Sequence, residues 1–171
     1  MAKTDLSMVC RGLACALSIA AASTMTLCRV DVNKNGITFV ISHRFWGSFK
    51  FFKVMAFIGG SYNFLVIFLP NGSPLWRLVV IIDVIVNMVQ ASGVSAAMYT
   101  YFLLRDGNSH VKWWPVCIVS PEFCSKVLGA TIAGALGLLF HFTLTCYAVY
   151  IILDPLLHYA DQRAEDDNVN Q

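Results

Sequence analysis

Leu78–Leu104, LVVIIDVIVNMVQASGVSAAMYTYFLL, is almost wholly apolar over 27 residues. As a helix rising about 1.5 Å per residue it reaches roughly 40 Å. That exceeds the ~30 Å hydrocarbon core of a bilayer, so the stretch spans a membrane with some tilt. One acidic residue, Asp83, lies inside it. An aspartate at the centre of a membrane helix costs about 2.5–3.5 kcal/mol, so Asp83 is expected to face protein rather than lipid. The rest of the chain then has to supply a partner. Arg11, at a similar distance inside the first apolar stretch, is the candidate.

The composition agrees. Of 171 residues 57% are hydrophobic and 13% charged, about half the charged share of a soluble domain. The length suits one domain with no separate catalytic module. A net charge of +2, with no long basic run, gives no reason to expect nucleic acid as a partner.

The chain divides into a polar head over residues 1–7 and four spans at about 8–28, 49–69, 77–104 and 127–153. An acidic tail follows over 154–171. The first span is rich in Ala, Ser, Gly and Cys. Its basic start and the small residues Ala20 and Ala22 also read as a signal peptide, but its length and Arg11 favour a retained helix. In the loop from Arg29 to Ser48, Asn33-Lys34-Asn35-Gly36 is a turn signal and residues 37–41 suit a short strand. Pro70-Asn71-Gly72-Ser73-Pro74 is a tight turn, making spans two and three antiparallel. Asp154-Pro155 closes the fourth span, and the tail beyond, with four acidic residues against one arginine, is expected to lack structure.

Orientation receives two opposed signals. The two long loops hold eight Lys and Arg against four on the side of the termini, which by the positive-inside rule makes the loops cytoplasmic. Cys117 and Cys124, seven apart in the second loop, suit an oxidising exterior.

Spans one and three run parallel, so Arg11 and Asp83 enter from the same face at depths of about 5–10 Å. An ion pair is the expectation; Arg11 reaching for headgroups beside a protonated Asp83 is the alternative. A proton or ion relay needs further ionisable groups, and span three adds only Asn87 and Gln90. A Cys117–Cys124 disulfide closes a small loop and contributes roughly 2–3 kcal/mol. Free thiols are the alternative, while a zinc site lacks ligands, His110 being the only nearby third. Cys10, Cys15, Cys28 and Cys146 read as small core residues. Gly129, Ala133 and Gly137 on span four, continued by His141 and Thr145, recur every four residues, and Ser92-Ala96 repeats that spacing on span three. Small residues so placed let helix backbones approach closely, within one bundle or against a second copy. His141 is read as a hydrogen-bonding residue rather than a haem or metal ligand. Trp76, Trp113 and Trp114 stand where interfacial anchors stand. No catalytic constellation, metal set or cofactor motif is present, so no catalytic residue, metal or cofactor is expected.

These residues together resemble the plant Casparian strip membrane domain proteins and their CASP-like relatives. The resemblance rests on Arg11 in an Ala/Ser-rich first span and on Asp83 ten positions before Gly93-Val94-Ser95-Ala96-Ala97. It rests also on WWPVCIVSPEFC (residues 113–124) and the Gly/Ala-rich span that follows, and it covers about Val9–Leu153. The first loop departs from it: KNGITFVISHRFWGSFK (residues 34–50) is basic and lacks the acidic, aromatic motif of strip-building members, which points to the broader CASP-like group. The resemblance implies an all-α, MARVEL-like bundle of four transmembrane helices in the plasma membrane, with both termini cytoplasmic. It also implies homo- and hetero-oligomers with related proteins, contacts with membrane lipid, and extracellular loops that engage cell-wall enzymes. In that family the characteristic charges map onto Arg11 and Asp83 and the cysteine pair onto Cys117 and Cys124. The function expected is a non-enzymatic membrane scaffold. The alternative is a small channel or proton-coupled transporter subunit using Asp83.

Overall fold

A computed structural model of the protein describes residues 5–34, 37–69, 75–107 and 114–169. Helix α1 (Asp5–Leu27) leads into strands β1 (Arg29–Lys34) and β2 (Ile37–Ser42), and a 3₁₀ turn (His43–Phe45) precedes α2 (Gly47–Ile67). Helix α3 (Trp76–Asp106), the short α4 (Val116–Val119) and α5 (Pro121–Val169) complete the chain. Four helices contain segments long and apolar enough to cross a membrane: Ser7–Leu27, Gly47–Ile67, Leu78–Asp106 and Pro121–Ile151. The fold is an all-α four-helix membrane bundle.

Each spanning helix buries a stripe that is mainly small or polar through the middle of the bundle, with bulky residues such as Phe49, Phe52 and Phe123 buried at the loop end. On α1 it reads Arg11, Ala14, Ser18, Ala21, Met25; on α3, Asp83, Asn87, Gln90, Ala97. Large apolar side chains such as Phe57, Phe64, Ile85 and Leu139 point outward. Lipid is as apolar as leucine, so close helix packing comes from small residues and from polar contacts. On α5 the close approaches fall at Gly134 and Gly137. A Cβ on Gly134 would stand 2.7 Å from the Phe52 ring, and one on Gly137 would stand 2.9 Å from Ser18 Oγ of α1.

Helices α1 and α3 each pack against both α2 and α5, so α1 and α3 occupy diagonal corners of the bundle. At the loop end, Phe49, Phe52, Phe123, Met25 and Leu104 are buried together. The Trp46 ring stands 5.5 Å from that of Phe123 and 5.8 Å from that of Phe49. The two strands pair antiparallel, in register from Arg29 with Ser42 to Lys34 with Ile37. The sequence reading pointed only to the second of them, although Val30 and Val32 alternate with Arg29, Asp31 and Asn33 as in a half-buried strand.

Two boundaries differ from the sequence reading. Helix α5 begins at Pro121 rather than near Val127, since a proline at the first helical position loses no hydrogen bond. It also runs through Asp154-Pro155 to Val169, where a stop and an unstructured tail were expected. A proline removes one bond from a helix already formed, and the Leu, Ala, Gln and Arg residues after it are good helix formers. At the other end of α3, Gly107 adopts a left-handed φ of 72°, and its N–H donates to Leu103 O at 3.0 Å.

Candidate functional site

Sequence spacing sets up the site before any tertiary contact forms. On α1, Arg11 and Ser18 are seven apart; on α3, Asp83, Asn87 and Gln90 are four and three apart; on α5, His141 and Thr145 are four apart. Each set therefore lies along one helix face. On α2 the run Ser61-Tyr62-Asn63 interrupts an otherwise apolar half.

All four spans deliver these groups to one place. The Arg11 guanidinium holds the Asp83 carboxylate with two prongs, Nη2 to Oδ2 at 2.8 Å and Nη1 to Oδ1 at 3.2 Å. This forked geometry belongs to arginine and not to lysine. Because α1 and α3 are diagonal, the pair crosses the centre of the bundle, with Arg11 5% and Asp83 0% exposed. The flanking helices close the gaps. Tyr62 OH lies 2.8 Å from Asp83 Oδ1 and 3.0 Å from Val79 O; its one proton goes to the carboxylate as the stronger acceptor. His141 Nε2 stands 3.1 Å from the same Oδ1. Arg11 Nη1 also donates to Asn63 Oδ1 at 3.4 Å, and Asn63 Nδ2 donates to Gly59 O at 2.9 Å.

From His141 the network runs toward the loop end. Nδ1 lies 3.3 Å from Gln90 Oε1, and Gln90 Nε2 donates to Ser18 Oγ at 3.4 Å. Facing a carboxylate, which can only accept, His141 Nε2 is the donor of that contact. A side branch joins Asn87 Nδ2 to Thr145 Oγ1 at 2.6 Å, and Thr145 donates to His141 O at 3.0 Å. Arg11 Nε and Asn87 Oδ1 are buried without a protein partner. The arrangement neutralises a buried carboxylate and fastens four helices together.

The remaining expected residues lie elsewhere. Cys117 and Cys124 form a disulfide with Cα atoms 5.6 Å apart, tying α4 to the first turn of α5. Gly137 packs inward on α1, and Ala133 packs against the loop-end core. Gly129 faces open space and Ser92 is exposed, its hydroxyl returned to Val89 O, while Ala96 is half-buried. The stripe on α5 therefore divides between an inward and an outward part. Cys146 is exposed, against the expectation of a core residue; Cys15 and Cys28 are buried. Trp114 is exposed, and Trp113 and His110 lie outside the described residues, as does the side chain of Trp76. The network residues that sequence reasoning missed are Ser18, Tyr62 and Asn63. The signal of the last two was present, as polar residues in a membrane span about as far from its end as Asp83 is from the start of its own.

Fold and site together define a multi-pass membrane protein with an intramembrane ion pair. The Casparian strip membrane protein domain matches residues 1–140, and the chain belongs to that family. It is 34% identical to CASP-like protein 1C2 of Populus trichocarpa over 92% of this chain and 98% of the relative. It is 32% identical to CASP-like protein 1C1 of Arabidopsis thaliana over 88% and 92% respectively. It is 36% identical to CASP-like protein 1C2 of Arabidopsis thaliana over 71% of this chain and 74% of that one. No solved structure matches the chain.

Proposed function

We propose that this protein is a non-enzymatic scaffold of the plasma membrane that self-associates, and associates with related CASP-like chains, into platforms. Both termini are cytoplasmic in this reading, and the β-hairpin and the disulfide-bonded loop face outward, where they engage partners at the cell wall. The observation that carries the reading is the closure of Asp83. Its oxygens are taken by Arg11, Tyr62 and His141 from three other helices, so the charge acts as an internal fastening of a rigid unit. Small outward positions such as Gly129 and Ser92 leave room for close approach of a neighbour.

Single-molecule subunit counting in a bilayer tests this. Stable multimers are expected for the wild type and fewer subunits for Asp83→Asn, because the fastening is weakened. A monodisperse wild-type monomer would overturn the scaffold reading. The second reading is a transporter subunit, and the polar chain from Asp83 through His141 and Gln90 to Ser18 favours it. It requires flux that disappears in Asp83→Asn while assembly survives; unchanged flux in that variant removes it.

A further inference from the structure

On the outside of the bundle, at the loop end, α1 and α2 part to form a groove of about 530 Å³. Ala22, Ser23, Thr26, Leu27, Val54 and Phe57 line it, with Lys53 as the only charged group among the described residues. Thr26 returns its hydroxyl to Ala22 O at 2.8 Å, so it presents its methyl and, Ser23 apart, the lining below Lys53 is apolar. The lining covers residues 22–27 on α1 and 53–57 on α2. At helical rise that is about 6–8 Å along each helix, room for several methylenes of an acyl chain.

The charge above the slot is one-sided. Lys53 lies about 9 Å into α2 and its stem reaches back toward the headgroup level. Lys50 stands one turn nearer the loop, and Arg44 precedes the helix. Lys50 and Lys53, three apart, share one face of α2, and Arg44 is exposed in the turn that precedes it. Among the described residues no carboxylate forms an ion pair with any of them; the ion pairs at the loop side are Arg29–Asp31, Arg105–Asp106 and Lys126–Glu122. An apolar slot under unpaired cations is complementary to one kind of occupant present in every bilayer.

We infer that the α1–α2 groove is a binding site for an anionic phospholipid, with one acyl chain between Ala22, Val54 and Phe57 and the phosphate on Lys53, Lys50 and Arg44. The inference goes beyond the scaffold reading; with the loops outside, as that reading has them, the bound lipid belongs to the outer leaflet. It also gives the basic loop side a role. Three of the eight loop cations then serve as ligands for lipid phosphate.

Native mass spectrometry of the full chain, released from detergent after titration with phosphatidylglycerol or phosphatidylcholine, tests it. The wild type is expected to retain one phosphatidylglycerol in preference to phosphatidylcholine. Lys50→Gln/Lys53→Gln should weaken retention roughly tenfold or more, at about a kilocalorie per cation. Val54→Trp, which fills the slot and leaves the cations, should weaken it as well. Lys126→Gln, a loop-side cation outside the groove, should leave it unchanged. Equal retention of the two lipids by the wild type would overturn the site. Undiminished phosphatidylglycerol retention in Val54→Trp would reduce it to surface attraction and overturn the groove. Each variant is compared at matched melting temperature, and Lys53→Gln alone, at a half-buried side chain, repeats the measurement if the double variant unfolds.

Discussion

At Asp83 the decisive quantity is what happens to a charge whose partner is removed. Deleting one member of a buried ion pair typically costs about 3–5 kcal/mol, while exchanging both for apolar residues is close to neutral. Arg11→Leu is therefore expected to lower the melting temperature of the detergent-solubilised protein sharply, and Arg11→Leu/Asp83→Leu to recover much of the loss. A double variant as unstable as the single would mean that Tyr62 and His141 depend on the carboxylate more than the ion pair does. Outside the spans, His43 provides a pH-dependent contact. Its Nδ1 lies 3.3 Å from Cys28 O, and its Nε2 is buried without a partner. Burial lowers its pKa from the ordinary 6.5, opposed by the Cys28 carbonyl and reinforced by Lys53, Arg44 and Lys50. The unfolded chain thus binds more protons than the folded one as pH falls through 6.5, so stability is full above that value and declines below it. Melting temperatures at pH 7 and pH 5 should differ less in His43→Asn than in the wild type; an equal difference would assign the pH response to another group. Cys28, its thiol raised to about 11 by burial, is expected to remain protonated and unreactive throughout that range.

At the scale of the helices, contact distance is set by glycines opposite particular side chains. The amide of Gln90 on α3 occupies the space that a Cβ on Gly59 of α2 would need. Gly59→Ala should therefore displace Gln90 from His141 and Ser18. Thermal melting of Gly59→Ala, Gln90→Ala and the double variant forms a cycle that reports this coupling. Because both changes remove the same contact, the double variant should be less destabilised than the sum of the singles; strict additivity would show that the two positions do not act through each other. The sequence supplied the stripes of small residues but not their facing partners. Spacing of four predicted Gly129, Ala133 and Gly137 as one face, whereas the bundle uses Gly134 and Gly137 for close contact and leaves Gly129 outside. A helix turns 100° per residue, so a four-residue repeat drifts around the axis by 40° at each step. Over eight residues that drift carries the repeat from the inner face to the outer.

For the whole molecule the same division separates folding from assembly. Gly137→Leu drives a side chain into α1 and should lower the melting temperature. Gly129→Leu meets open space and should leave it unchanged, while reducing the subunit count if the outward positions seat a neighbour. A drop in melting temperature for Gly129→Leu would place that residue in an intramolecular contact and remove it from the assembly surface.

The sequence by itself determined the class of protein, the four spans, the presence of a charge needing a partner, and the family. Each of these depends on hydrophobic length and local spacing, which the chain carries without folding. Helix ends at Pro121 and beyond Pro155 were less legible, because a proline is compatible with both a stop and a continuation and packing decides between them. Only the tertiary structure placed α1 and α3 on the diagonal, so that the arginine and the aspartate meet at the centre. It alone brought Tyr62, Asn63 and His141 from the other two helices to complete them. The reason is physical: a lone carboxylate in hydrocarbon accepts hydrogen bonds from whatever donors approach. Which donors approach is set by the rotation and depth of each helix, and these follow from packing across the whole bundle.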